Sequence, residues 1–372
     1  MKFRLLLPLA IAFVLAFCIQ AEAKTIWVSP SGASTNPGTK AAPLKSLSQA
    51  WNRVPQRKAN VVINLVGGDY RSSSPNYWEN KSGREIFIQS VGGTRAILPA
   101  VNIYNVHGLT FQDIDFKGDI HCERCSSFEL SRVSAHLNGA QEVIKINQSK
   151  RIAIRNSSFS GATDNVLDMV AVRHARIVNN KFSDADDWCA YAKGGSVDIV
   201  VRENVLSDCG TGGFTAGQGT GFQFMTRPFL QYEAYGVVVE RNTVRDTEGA
   251  AFGVNGGYNI LFKNNTALNV GQRSHVLEVG FGQRSCDGIP GDDPIRLKCN
   301  RYLRIGGWGT IKRDFQPGGI VFIPNRNVFF VGNVISSPDN VYDGNQQILS
   351  LRGKLDPQAG SNVPRKSRGD TG

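Results

Sequence analysis

A phrase recurs along this chain at a fixed spacing, and each copy has one form: alternating apolar residues, an Asn or polar pair, then a further apolar residue. It runs Arg151-Ile-Ala-Ile-Arg-Asn156-Ser-Ser-Phe159, His174-Ala-Arg-Ile-Val-Asn179-Asn-Lys-Phe182 and Val197-Asp-Ile-Val-Val-Arg-Glu-Asn204-Val205. Later come Val237-Val-Val-Glu-Arg-Asn242-Thr-Val244 and Asn259-Ile-Leu-Phe-Lys-Asn-Asn265-Thr-Ala267. The steps Phe159 to Phe182, Phe182 to Val205 and Val244 to Ala267 are each 23 residues. The alternation of Val, Ile and Phe with polar residues has the period of a strand. One such unit cannot bury its apolar face alone, so a constant period predicts units stacked into a solenoid, with the Asn residues bonding along the stack.

Weaker copies at Leu109 to Phe116, Phe128 to Val133 and Val328 to Val334 extend the pattern over most of the chain. The whole resembles the right-handed parallel β-helix of the pectate-lyase-like superfamily, which implies an all-β solenoid with coils of about 23 residues. A sandwich of evenly spaced strands is the competing architecture, but sandwiches seldom keep one period and one Asn position. Two loop excursions are expected. Val205 and Val244 stand 39 residues apart, 16 more than the period, and a second departure runs from about Val270 to Ile323.

Met1-Lys-Phe-Arg4, the apolar run Leu5 to Ile19 and Ala21-Glu-Ala23 together have the form of a signal peptide. The expected product is secreted or periplasmic and starts near Lys24, with one β-helix domain over 24–353, a disordered tail over 354–372, no transmembrane segment and a monomeric state. Removing Lys2, Arg4 and Glu22 takes the net charge from +11 to +10. Such a charge predicts a polyanionic partner, and export favours an acidic polysaccharide over nucleic acid. Cys122, Cys125, Cys189, Cys209, Cys286 and Cys299 form an even set suited to disulfides in an oxidising compartment. Cys189 and Cys209 are nearly one coil apart, Cys286 and Cys299 would close an inserted loop, and Cys122-Glu-Arg-Cys125 suggests a tight disulfide or, with His121, a metal site.

The period places Asp164 over Asp187, and Asp168 and Asp186 fall in the same acidic region of an otherwise basic chain. Clustered carboxylates repel unless they hold protons, pair with cations or bind metal, and calcium is the metal their chemistry suggests; Asp and Asn at turns are the plainer explanation. Asp186-Asp187-Trp188, an aromatic and Lys193, with Asp164 one coil earlier, resemble the calcium region of family 9 pectate lyases. That resemblance implies calcium at Asp164, Asp186 and Asp187, although Ala190 stands where that pattern has a further Asp and Thr215 where it has a lysine base. Lys193 is then the expected base for β-elimination at a uronate, with Arg227 or Arg273 on the carboxylate and His275 or Tyr235 donating to the leaving oxygen. Trp188, Tyr191, Arg273 and Glu278 are expected to bind substrate. The glycine-rich run Gly210 to Gly221 lacks the Lys and Ser/Thr of a nucleotide loop and predicts close approach of backbone to another group. A glycoside hydrolase using two of these aspartates, a C5-epimerase and a glycan-binding protein without catalysis are the competing functions.

Overall fold

The computed structural model describes residues 23–227, 230–273, 275–286, 293–305, 321–336 and 349–351. The expected signal peptide and the tail lie outside these residues, as does Trp308 of the second expected excursion. The described chain winds into a right-handed parallel β-helix. One coil shows the plan: strand Leu167–Val170 belongs to a ten-stranded sheet, and Arg173–Val178 and Lys181–Ala185 belong to a nineteen-stranded sheet that covers the other two sides. The next coil returns to the ten-stranded sheet at Trp188–Lys193.

In-register stacking follows from the sequence period. Leu167, Ala190, Phe214, Phe252 and Leu277 pair in succession and are all buried, as are Ile152, Ala175, Ile199, Val237, Ile260 and Val328 on another wall. Coils therefore lie about 4.8 Å apart, and each apolar face is covered by its neighbours. Phe159 stacks on Phe182 with ring centroids 5.6 Å apart, as the period requires. The next anchor is corrected: Phe182 pairs with Leu206, and the half-buried Val205 pairs with Lys181. One extra residue in that coil shifts the register, because strand faces alternate at every position.

Between the two arms of the larger sheet runs a buried ladder of Asn180, Asn204, Asn242, Asn265 and Asn333. Each amide oxygen from Asn204 onward accepts from the backbone N–H and side-chain Nδ2 of the preceding Asn at 2.8–3.0 Å. The residue before each ladder member is left-handed: Asn179, Glu203, Arg241, Asn264 and Gly332 have φ of 56°, 57°, 54°, 53° and 60°. Asn179, one of the Asn positions in the sequence phrase, thus shapes the turn while Asn180 bears the ladder.

Helix Leu47–Asn52 packs Leu47, Ala50 and Trp51 onto the first coils, and Ser46 caps it by accepting from the Gln49 N–H. The first excursion leaves after Gly212–Ala216. The second starts later than expected, because Leu277–Gly280 is still a strand of the ten-stranded sheet. Parts of both excursions meet in a small sheet of Gly219–Gly221, Gly282–Ser285 and Val321–Ile323. The expected pairs Cys122–Cys125, Cys189–Cys209 and Cys286–Cys299 are disulfides, so the Cys-X-X-Cys segment beside His121 is not a metal site. No helix among the described residues is long and apolar enough to cross a membrane.

Candidate active site

Alternation along Leu167–Val170 sends Leu167 and Met169 into the core and Asp168 to the outer face of the ten-stranded sheet. Register then builds a column across coils: His121, Lys145, Asp168, Tyr191, Thr215, Gly253 and Glu278. Lys145 Nζ lies 3.6 Å from Asp168 Oδ2 and 2.5 Å from Glu142 Oε1. Tyr191 is the register partner of Asp168 on the next coil, so the two side chains lie side by side on this face. Asp168 Oδ1 is buried without a hydrogen-bond partner. Lys193 Nζ sits 4.2 Å from the Tyr191 ring centroid, a cation–π contact, and 3.5 Å from Gln218 Oε1.

The charges of this column act on one another at close quarters. Burial raises the Asp168 carboxyl above the usual Asp range, with Lys193 and Lys145 opposing. Burial likewise raises Asp164, reinforced by the charges of Asp187 and Glu142. Tyr191 is pushed far up, by burial and then by Asp168. Burial works against the charge of Lys145, but Glu142 and Asp168 outweigh it and hold its pKa up. His121, at the foot of the column, is pulled down by burial. Such a surface sets lysines beside carboxyls whose ionisation burial opposes.

Several expected site residues stand elsewhere or do other work. Trp188 and Tyr191 are buried at 1% and 2% exposure, so neither offers an open face to a sugar. The Trp188 ring covers Gly212 and Gly253, where a Cβ would come within 2.5 and 2.7 Å of ring atoms; what approaches the glycine-rich backbone is this indole. Tyr235 belongs to Ala234–Glu240 in the nineteen-stranded sheet and meets Tyr258 edge to face at 5.2 Å, away from the Asp168 column. His275 Nε2 lies 3.1 Å from Glu278 Oε2, and Asn255 donates to Glu278 Oε1 at 2.9 Å and to Thr215 at 3.3 Å. This knot sits at the far end of the column, where Glu278 holds a histidine. Arg273 is exposed and paired with Glu248 at 2.9 Å, and Arg227 is exposed beside the Arg173 to Thr226 carbonyl bond. Glu233, from the first excursion, and Arg284, from the strand Gly282–Ser285, form a fully buried ion pair at 2.9 Å.

The expected stacking of Asp164 and Asp187 is present, the Asp187 N–H donating to the Asp164 carbonyl at 3.0 Å. Asp164 Oδ1 accepts from Asn165 at 2.5 Å, Asp186 is exposed, and Asp168 faces Lys145 and Tyr191. Among the described residues no three His, Cys, Asp or Glu side chains are arranged to hold a metal, so the four aspartates as placed do not fit the calcium set. Lys145 and Glu142 went unnoticed in the sequence, although Lys145 lies 23 residues before Asp168 and Tyr191 lies 23 after it. The period that stacked Asp164 on Asp187 carried that signal too.

No family model matches the chain, and no curated protein matches its sequence. Solved structures do match in shape. A glycoside hydrolase aligns with TM-score 0.56 and 9% identity over 90% of this chain and 97% of that one. XylC in complex with xylose aligns at 0.54 and 9% over 85% and 76%. A rhamnogalacturonan lyase aligns at 0.51 and 13% over 89% and 86%. At such identities the likeness shows the fold.

Proposed function

We propose that the protein is an exported, carbohydrate-active enzyme that cleaves a uronate-bearing polysaccharide by β-elimination. The observation that carries this reading is the grouping of two lysines, Lys145 and Lys193, with the buried Asp168 and Tyr191 on the outer face of one sheet. The fold likeness to a rhamnogalacturonan lyase and a glycoside hydrolase supports action on carbohydrate.

In this mechanism Lys145 meets the uronate carboxylate, whose neutralisation makes the C5 proton removable. Lys193, seated over the Tyr191 ring, takes that proton. The C5–H electron pair becomes the new C4–C5 double bond while the C4–O4 bond breaks. The leaving oxygen receives a proton from Asp164, which is half-buried and held above the usual carboxyl range. Asp168 and Tyr191 orient the lysines from beneath. A hydrolytic reading would use the same Asp164 as acid with the neighbouring Asp187 as base.

The test follows the ultraviolet absorbance of unsaturated uronate products on pectate, alginate and glycosaminoglycan substrates, with calcium and with chelator. Rising absorbance that survives the chelator is expected. Rising absorbance that the chelator abolishes would return a metal to Asp164, Asp186 and Asp187. Chain shortening without absorbance would replace elimination by hydrolysis.

A further inference from the structure

On the turn edge of the first coils, outside the Asp168 column, two shallow hollows adjoin and share Ser82. Every Asp, Glu, Lys or Arg in their linings is a cation: Lys58 and Arg84 in one, Arg57, Lys81 and Arg124 in the other. Elsewhere the chain matches arginine with carboxylate, as in Arg71 with Asp69, Arg95 with Asp115, Arg132 with Asp113 and Arg241 with Glu203. Arg57, Lys58 and Arg84 are exposed, and their side chains make no ion pair or hydrogen bond among the described residues. They thus hold part of the +11 net charge uncompensated in one place.

The other two cations are held in position. Lys81 donates to the Val54 carbonyl at 2.7 Å and lies 5.7 Å over the Trp51 ring. Arg124 donates to the Tyr104 hydroxyl at 2.6 Å and to Gln148 at 3.3 Å, with Glu123 at 3.5 Å on its flank. Lys58 and Arg124 also occupy left-handed backbone, φ 53° and 54°, where neighbouring coils place Asn80 and Asn105 beside Arg124.

We propose that these hollows form a second binding site, for the carboxylate or sulfate groups of an anionic glycan. It is independent of the reaction proposed above. Two anchored cations with three exposed, unpaired ones around them match a run of spaced anions on a flexible polymer. Single-stranded nucleic acid is the poorer match, because no Trp, Tyr or Phe lines either hollow to stack a base.

The test is isothermal titration calorimetry of the full chain with polygalacturonate, heparin and a single-stranded DNA oligonucleotide, each at low and high NaCl. Binding to at least one glycan that weakens with salt is expected. The triple variant Arg57→Glu, Lys58→Glu, Arg84→Glu should lose roughly ten- to a hundredfold in affinity. The Lys145→Ala, Lys193→Ala variant should lose turnover yet keep the salt-sensitive binding that the Arg57→Glu, Lys58→Glu, Arg84→Glu change removes. The neutralising triple Arg57→Gln, Lys58→Gln, Arg84→Gln runs alongside, so that a folding defect from charge reversal cannot pass for lost binding. Preference between polygalacturonate and heparin assigns carboxylate or sulfate. Undiminished binding by both triples, or loss only in the lysine variant, would overturn the site; tighter binding of DNA than of either glycan would overturn its assignment to glycan.

Discussion

Two polar columns run along this solenoid, and they are built on opposite principles. The Asn180 to Asn333 ladder is buried and repeats one side chain whose donors and acceptors match those of the next copy, so every coil satisfies its neighbour. The Lys145, Asp168, Tyr191, Thr215 column changes residue at each step and leaves Asp168 Oδ1 without a partner. The same register serves both. A parallel stack makes any repeated polar residue self-complementary, and it makes any substitution in a column an unmet demand that a ligand can meet.

That contrast can be broken from either side. The largest effect is expected from Lys193→Ala, which should lower kcat by roughly 10²- to 10⁴-fold while leaving the thermal midpoint in place, because the side chain serves the column and not the stack. Asn204→Ala should do the reverse. It removes the acceptor of the Asn180 N–H and Nδ2 and the donors to Ile177 and Asn242, at a cost of about 3 kcal/mol in chemical denaturation, with kcat of the folded fraction retained. The pH dependence of stability sharpens the comparison further. Asp164 and Asp168 are raised in the folded state, so they favour folding while protonated; that contribution is present below the ordinary value of 3.8 and is lost as pH rises through their folded values. Denaturation of wild type and of Asp168→Asn across this window should show a smaller loss with rising pH in the variant. The smallest effect belongs to Arg273→Ala, whose ion pair with Glu248 is 69% exposed on the arginine side; less than about 0.5 kcal/mol is expected from the same denaturation measurement.

The fold was legible because its cause is periodic. One apolar face per strand and one turn per coil are written into every repeat, so Phe159 over Phe182 and Val244 over Ala267 could be placed by counting. Counting failed at Val205, where a single added residue moved Leu206 into the core, since no local signal separates two adjacent apolar residues. The site was legible in part. Acidic stacking at Asp164 and Asp187 followed from the period, and the disulfides from spacing and compartment. Side-chain exposure did not: Trp188 looks like a sugar platform in sequence, and only the path of Gly212 and Gly253 beneath it reveals a buried indole. Tyr235 misled for a related reason, because residues of an excursion can rejoin any side of the coil.

The Glu233–Arg284 pair carries a consequence for the timing of biosynthesis. Glu233 Oε2 accepts from the Gly194 N–H and from Thr220, so one carboxylate fastens the turn after Lys193 to the first excursion. Its countercharge belongs to a later segment. A chain made from its N-terminus therefore presents Glu233 before the arginine that neutralises it exists, and an unpaired carboxylate is costly to bury. Early coils can close and stack meanwhile, but the turn beside Lys193 stays short of its last partner until the strand Gly282–Ser285 arrives, about 90 residues after Lys193 itself has been made.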